Sequence, residues 1–115
     1  TSTRPILNFS LNGVPMGQTL PGGGGERSIT VELSSSLLPA GIEIIRNNEV
    51  IKTHRADQPH TNLNFVDDDD PADLWIRDSP KNPRPFFYYY VRVMFSGVFH
   101  GVCAWSSPIW VEKPA

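Results

Sequence analysis

The sequence has one cysteine, no cluster of basic residues and no long apolar run, and each shortage excludes a class of protein. A lone thiol at Cys103 excludes an internal disulfide framework and a metal site of several thiolates, and a small apolar strand residue is its simplest role. Ten Lys and Arg stand against twelve Asp and Glu, and no basic group is dense enough to neutralise a run of phosphates, so we expect no nucleic-acid binding. No apolar stretch approaches the roughly 20 residues of a membrane span, so no membrane partner is expected.

The chain has 115 residues, the length of one domain. We interpret residues 1–4 as a linker and residues 5–113 as a single folded unit. Because the chain begins at Thr1 and no targeting segment is recognisable, we expect it to be part of a longer protein. The sequence by itself assigns no cellular compartment.

Helical periodicity is also scarce, and short β-like runs take its place. No window of a dozen residues carries apolar side chains at i, i+3, i+4 and i+7, while nine glycines and eleven prolines divide the chain at short intervals. Strands are predicted over 5–12, 28–33, 61–66 and 86–95, in a hairpin over 41–55 that turns at Asn47 and Asn48, and in one or two strands within 98–111. About seven strands around a long apolar one favour an all-β, immunoglobulin-like or fibronectin type III-like β-sandwich.

Two stretches are predicted to be loops. Residues 22–25 are four glycines, which we interpret as a flexible surface loop because no lysine follows at the spacing of a phosphate-binding loop. Residues 67–85 form a long acidic and proline-rich connection without periodicity, which is where an added function would be expected.

The acidic connection opens with a group of carboxylates that has two interpretations. They belong to Asp67, Asp68, Asp69, Asp70 and Asp73. Carboxylates are calcium ligands, but the glycine and glutamate positions of an EF-hand loop are missing. Mutual repulsion of five close carboxylates favours a solvated loop, with a weak calcium site as the alternative.

The run FFYYYVRVMF over 86–95 alternates cleanly between two faces. We predict Tyr89, Val91 and Val93 to be buried and Arg92 to reach solvent or an ion pair, because successive strand residues point to opposite faces. Tyr89 also has the spacing of the tyrosine that, in sandwiches of this kind, bonds back to the main chain at a sheet corner.

The closing stretch AWSSPIWV places two tryptophans five positions apart. A regular strand would direct Trp105 and Trp110 to opposite faces. Pro108 lacks the N–H of a strand ladder, so we expect the strand to lie at an edge or to change sheets there. Ser106 and Ser107 are interpreted as edge-strand residues, since neither lies in a nucleophile elbow.

Five aromatic residues are candidates for contact with a partner, namely Trp75, Trp105, Trp110, Tyr88 and Tyr90. Together they would suit stacking against a sugar or packing against another protein domain. Packing in the core or at an interface is the favoured interpretation, with carbohydrate binding as the alternative.

Catalytic and metal-binding residues are not recognisable. The three histidines, His54, His60 and His100, are far apart in the sequence, and no His-x-His pair occurs. We therefore expect no cofactor, no metal and no enzymatic activity of the chain itself.

Four segments carry a resemblance to a known family. ILNFSLNGVPMGQTL (6–20), GIEIIRNNEVIKT (41–53), YYYVRV (88–93) and AWSSPIWV (104–111) occur in the order found in the β-rich C-terminal region of bacterial PHP-domain metal-dependent hydrolases of the CehA/McbA type. YYYVRV followed by WSSP is also similar to the last two strands of fibronectin type III domains, although the tryptophan usual in their second strand is missing. The acidic stretch 67–85 departs from the hydrolase pattern, so the resemblance assigns it no role.

The resemblance implies a non-catalytic accessory domain. In that family, His and Asp/Glu side chains of a separate upstream domain hold the metal ions that activate water. The chain would then pack against or position the catalytic domain of the same protein. The alternative is a carbohydrate- or protein-binding module of a secreted enzyme.

Overall fold

The computed structural model describes residues 6–21, 26–34, 39–55, 58, 60–76, 85–95 and 103–113. Within these ranges the protein consists of ten strands and one short 3-10 helix, Pro71–Asp73. The strands are β1 (Ile6–Leu11), β2 (Val14–Pro15), β3 (Thr19–Pro21), β4 (Arg27–Ser34), β5 (Pro39–Arg46), β6 (Glu49–Arg55), β7 (His60–Asp67), β8 (Phe86–Phe95), β9 (Cys103–Trp105) and β10 (Ile109–Glu112).

The strands form two sheets, and the predicted all-β sandwich is confirmed. The first sheet has four strands in the order β2-β1-β4-β7, all antiparallel. The second sheet has six, in the order β3-β10-β8-β5-β6, with β9 also pairing with β8. β3 and β10 run parallel, and the other pairs in this sheet are antiparallel. The ten-residue strand β8 therefore organises the second sheet, since three other strands pair with it.

The core lies between the two sheets and is built by alternation along each strand. β4 shows the pattern clearly, with Ile29, Val31 and Leu33 buried between exposed or half-buried neighbours. The remaining buried apolar residues of this core are Phe9, Leu11, Ile42, Ile44, Leu63, Phe87, Tyr89, Val91, Val93, Ile109 and Val111. Full burial of each such side chain contributes about 1.5–3 kcal/mol to folding, so this apolar layer is the main stabilising term.

The predicted faces of β8 are confirmed. Tyr89, Val91 and Val93 are completely buried, while Arg92 lies on the outer face and donates to Glu43 through Nε at 2.7 Å. The hairpin is confirmed as well, because Asn47 and Asn48 have φ angles of 51° and 67°, as tight hairpin turns require.

Three elements differ from the predictions. The two short strands β2 and β3 lie outside the predicted strands, because two or three residues are too few to show alternation. Asp67 ends strand β7 rather than opening a loop. The glycine run 22–25 and residues 77–84 of the acidic connection lie outside the described residues.

The pairing of the closing segment with β8 is interrupted between β9 and β10, but both strands stay in the second sheet and on the same side of β8. β9 pairs with β8 through Trp105 and Arg92, and β10 pairs with the same strand through Ile109 and Tyr89. The prediction that Pro108 marks an edge or a change of sheet is therefore wrong, because β10 lies between β3 and β8. The carbonyl of Pro108 instead accepts a hydrogen bond from Gly17 N at 2.8 Å.

Ser106 bridges the interruption between β9 and β10. Its backbone N–H donates to Val91 O at 2.8 Å, and its Oγ accepts from Val91 N at 2.8 Å. The serine hydroxyl thus takes the place of a main-chain carbonyl, so both backbone groups of a fully buried residue remain paired.

A buried ionic cluster joins the two sheets at one end of the core. It consists of Arg27 from β4, Arg46 from β5, Asp67 from β7 and Tyr89 from β8. Tyr89 Oη donates to Asp67 Oδ2 at 2.5 Å and accepts from Arg27 Nε at 2.8 Å. Arg46 Nη1 lies 2.8 Å from the same Asp67 oxygen and 3.0 Å from Asp69 Oδ2. Arg27 Nη2 donates to the carbonyl of Asp69 at 2.6 Å, so the chain just after β7 is also fixed.

This cluster corrects two predictions. The hydroxyl of Tyr89 bonds to the Asp67 and Arg27 side chains, whereas the corner arrangement expected a bond to the main chain. Asp67 is 3% exposed and is not part of a solvated loop. Its carboxylate tolerates burial because two arginines and a tyrosine surround it, and removing one partner of such a buried pair costs about 3–5 kcal/mol.

Titration of the cluster follows from these contacts. Burial by itself raises the pKa of Asp67, but hydrogen bonds from Tyr89 and Arg46 outweigh burial and hold that pKa below its ordinary value. Burial and the Asp67 carboxylate together raise the pKa of Tyr89, so its hydroxyl remains a proton donor. Burial lowers the pKa of Arg46, but hydrogen bonds to Asp67 and Asp69 more than offset that effect and leave it raised.

The cluster predicts acid sensitivity. The folded-state pKa of Asp67 lies below the unfolded value of about 3.9, so its contribution is complete above that pH and is lost as pH falls through the folded pKa. Tyr89→Phe removes one hydrogen bond and is expected to cost about 1–3 kcal/mol at neutral pH and to make the loss below about pH 4 shallower. Urea unfolding over a pH series measures both effects.

Tyr90→Phe is the control for this experiment. Its ring lies on the outer face, and its hydroxyl forms no hydrogen bond with the described residues, so we expect a change within about 0.5 kcal/mol. Equal losses for the two variants, or identical pH slopes for Tyr89→Phe and the unchanged protein, would contradict the role assigned to the cluster.

The interruption predicts different roles for two adjacent serines. Ser106→Ala removes the acceptor of the Val91 N–H and is expected to lower the free energy of unfolding by about 1–3 kcal/mol. Ser107→Ala, at an exposed side chain, should change it by less than about 0.5 kcal/mol. Chemical denaturation of both variants tests the difference, and equal stabilities would show that Ser106 is not needed at the break.

Candidate functional site

Four aromatic side chains share the outer face of the second sheet, and we call this surface the aromatic face. They are Tyr88 and Tyr90 of β8, Trp105 of β9 and Trp110 of β10. Trp110 lies opposite Tyr88 in the ladder, and Trp105 lies opposite Arg92. The rings of Tyr88 and Tyr90 are nearly parallel with centroids 6.3 Å apart, and the Trp105 ring follows at 5.8 Å from Tyr90.

The shared face contradicts the prediction that Trp105 and Trp110 point to opposite sides. The prediction assumed a regular strand, but the pairing on β8 shifts by one residue between β9 and β10. A shift of one residue reverses the face of everything that follows, so Trp110 points outward and Ile109 inward. Trp105 is 57% exposed and Trp110 is 38% exposed.

Aliphatic and charged groups complete the aromatic face. Ile45 lies opposite Tyr90 and is almost fully buried on this outer side, and Val50 lies opposite Ile45 and is exposed. The Arg92 guanidinium lies 5.4 Å from the centroid of the Trp105 ring and forms an ion pair with Glu43. The surface is therefore apolar in its middle, with an ion pair beside Trp105.

The hydroxyl of Tyr88 is a neutral polar group on this surface. Partial burial raises its pKa, and the neighbouring Tyr90 raises it further. It stays protonated at neutral pH, so it can donate and accept hydrogen bonds without adding charge.

Trp75 does not belong to the aromatic face, although it was predicted with the other four aromatic residues as a candidate for contact with a partner. Its ring packs edge-on against Phe87 with centroids 4.9 Å apart, and it is half-buried against the core. Asn47 Nδ2 donates to the preceding carbonyl of Leu74 at 2.9 Å and ties this part of the connection to the hairpin turn. Trp75 is thus placed as a structural residue at the end of the core.

The carboxylates of the acidic connection face different partners. Asp68, Asp69 and Asp70 are exposed. The Asp69 carboxylate pairs with Arg46, and Asp70 Oδ1 accepts from Ala72 N at the start of the 3-10 helix. The side chain of Asp73 lies outside the described part of the chain. Among the described residues, no group of three or more His, Cys, Asp or Glu side chains is placed to hold a metal ion.

The histidines give one contact that sequence reasoning missed. Ser34 Oγ and His60 Nδ1 lie 3.0 Å apart across strands β4 and β7, at an exposed position. A catalytic triad would need a carboxylate bonded to the other ring nitrogen of His60, and none of the described residues provides one. Only the strand register could have revealed it. His54 lies on β6, and His100 falls outside the described residues.

Comparison with known proteins places the chain beside a small group of longer bacterial proteins. No family model matches the sequence, and no solved structure matches it. An uncharacterized protein of Chlamydia trachomatis serovar D is 35% identical over 117 residues, covering 97% of this chain. Uncharacterized proteins of Chlamydia pneumoniae and Chlamydia muridarum are 33% and 34% identical over the same length. The chain spans 18% of the length of each relative. No helix among the described residues is long and apolar enough to cross a membrane.

Proposed function

We propose that the chain is a non-catalytic accessory domain of a longer protein, and that its aromatic face docks against another domain of that protein. The observation that carries the proposal is a contiguous aromatic set on one side of the second sheet, in which Trp105 and Trp110 are exposed and Tyr88 and Tyr90 are half-buried. Large exposed apolar patches of this kind mark interaction sites.

The residue types favour a protein partner. Trp, Tyr and Arg dominate the energetic centres of protein interfaces, and here the indole of Trp105 lies against the guanidinium of Arg92. The buried Ile45 lies opposite Tyr90 on the neighbouring strand and extends the apolar surface, while the Arg92–Glu43 ion pair provides the polar margin common at interface rims.

The relatives support the domain interpretation. Nearly the whole chain matches them, yet it accounts for 18% of their length. Such a match is expected of one folded unit within a multidomain protein.

The type of the neighbouring domain is proposed from the sequence resemblance. It favours a PHP-type metal-dependent hydrolase domain, whose own His and Asp/Glu side chains would hold the metal ions. The present chain would then supply a docking surface and no ligand. The alternative remains a carbohydrate- or protein-binding module, in which the same rings would contact a ligand from outside.

A first prediction concerns catalysis. The 115-residue chain is expected to hydrolyse neither phosphoesters nor carboxylic esters, with or without Zn²⁺, Mn²⁺ or Fe²⁺. Turnover assays on chromogenic substrates measure this. Metal-dependent activity that disappears in His54→Ala or His60→Ala, or metal-independent activity that disappears in Ser34→Ala, would overturn the non-catalytic assignment.

A second prediction concerns docking. Trp105→Ala truncates a largely exposed ring, so we expect it to change the free energy of unfolding of the 115-residue chain by less than about 1 kcal/mol. In the longer protein proposed to contain the chain, the same substitution should lower the unfolding temperature of the neighbouring domain and increase protease cleavage between the two domains. Scanning calorimetry and limited proteolysis provide the measurements.

The matched control for docking is Val66→Ala, which removes an exposed apolar side chain from the other sheet. It should change neither the free energy of unfolding of the 115-residue chain nor the unfolding temperature of the neighbouring domain in the full-length protein. If Trp105→Ala has no effect on the full-length protein but abolishes binding to a polysaccharide, the docking proposal fails and the carbohydrate-module alternative replaces it.

A further inference from the structure

The outer face of the first sheet carries a regular array of small polar side chains, which we call the polar face. Its central row, running across β1, β4 and β7, places Asn8 opposite Glu32 and Glu32 opposite Asn62. The next row places Ser10, Thr30 and Asn64 side by side in the same way. All six side chains point to the side of the sheet away from the core, because their neighbours along each strand are buried or packed against it.

This composition is unusual for a sheet surface. Asparagine is depleted in strands because its side chain competes for backbone hydrogen bonds, yet the polar face has it at 8, 62 and 64. β7 is also the edge of the sheet, where lysine commonly protects against pairing with another chain, and β7 contains no lysine. Sequences depart from local preference in this way mainly at functional sites.

The central row has free hydrogen-bonding capacity. Thr30 Oγ1 lies 3.2 Å from Asn64 Oδ1, so the second row is internally paired. Within the described part of the chain, Asn8, Glu32 and Asn62 form no side-chain hydrogen bond, and all three are exposed. A carboxylate that only accepts is thus flanked by two carboxamides that both donate and accept. Pairs of neighbouring hydroxyl groups, which also donate and accept, complement this arrangement.

Two shallow depressions meet at the central row. The first, of about 400 Å³, is bounded by Pro15 and Met16 beyond Asn8 and Glu32. The second, of about 300 Å³, extends from Asn8 and Glu32 towards Ile6 and Asn62. Each therefore combines a polar floor with an apolar wall, which suits a ligand with hydroxyl groups on its edge and C–H groups on its faces.

The charge of this surface narrows the ligand class. The two rows contain one carboxylate, Glu32, and no lysine or arginine, so phosphate, sulfate and carboxylate groups on a ligand would be repelled at the central row. His60 lines only the second depression, where its Nδ1 lies 3.0 Å from Ser34 Oγ. An anionic ligand is thus disfavoured, and the alternation of donors and acceptors along Asn8, Glu32 and Asn62 is complemented by neighbouring hydroxyl groups, as in a neutral sugar.

From these observations we infer that the central row of the polar face, where the two depressions meet, binds a neutral oligosaccharide, with Glu32 accepting from adjacent hydroxyl groups and Asn8 and Asn62 fixing the sugars on either side. The two depressions would hold two neighbouring sugar units. This site is on the opposite sheet from the aromatic face, so it stands independently of the docking proposal.

The test is an NMR titration of the ¹⁵N-labelled chain with cello-, malto-, xylo- and chito-oligosaccharides. At least one of these probes is expected to shift the backbone amides of Asn8, Glu32 and Asn62 in a saturable way. Asn62→Ala and Glu32→Gln should each weaken that binding at least about tenfold, equivalent to about 1.4 kcal/mol.

Asn64→Ala is the matched control, since it removes the same side chain from the same strand, one row away and outside both depressions. It should leave the affinity unchanged, and the dispersion of the amide spectrum verifies that every variant is folded. Absence of saturable shifts with all four probes, or equal weakening by Asn64→Ala and Asn62→Ala, would overturn the inference. Shifts confined to Tyr88, Tyr90 and Trp110 would also overturn it, because they would place the sugar on the aromatic face. That result would count against the docking proposal as well.

Discussion

The rest of the structure depends on one buried carboxylate. Asp67 lies between the two sheets, and its oxygens are shared by Arg46 and Tyr89 of the second sheet and Arg27 of the first. Apolar packing is non-directional and tolerates small shifts, whereas the hydrogen bonds of this cluster, at 2.5 to 2.8 Å, require a definite distance and angle between the two sheets. Within the described residues no buried side-chain nitrogen or oxygen lacks a partner, which is the condition under which buried charge specifies a fold instead of opposing it.

The cluster also organises the surroundings of the core. Through Arg27 and Arg46 it fixes the chain at Asp69, directly before the 3-10 helix that leads to Trp75. Arg27 additionally lies over the ring of Phe87, which in turn supports Trp75. The first part of the acidic connection is therefore shaped by the core, and the carboxylates of Asp67, Asp69 and Asp70 have structural partners before any ligand is considered.

Much of the fold could be predicted from local patterns, and the rest depends on contacts between distant residues. Strict alternation over 86–95 and the paired asparagines at 47 and 48 gave the central strand and the hairpin, because both signals lie within a few neighbouring residues. The partners of Asp67 lie about twenty to forty residues away, so no local pattern announces its burial. The aromatic face was predicted as a set of candidates, but its geometry depends on a one-residue change of pairing that alternation cannot reveal. The asparagines at 8, 62 and 64, within predicted strands, were the feature of the sequence from which the polar face could have been predicted.

Proline 108 has a consequence for how the last strand finds its place. If the pairing of β9 simply continued past Trp105, Pro108 would stand opposite Tyr89, and Trp110 would turn into the space now filled by Ile109 and Val111. That alternative alignment would need no interruption of the ladder between β9 and β10. A proline in the middle of the ladder would leave a carbonyl without a donor there, so the competing alignment loses a hydrogen bond that the native one never requires. Pro108 thus disfavours the alternative alignment, and in the native one, where Pro108 lies outside the ladder, both tryptophans are at the surface.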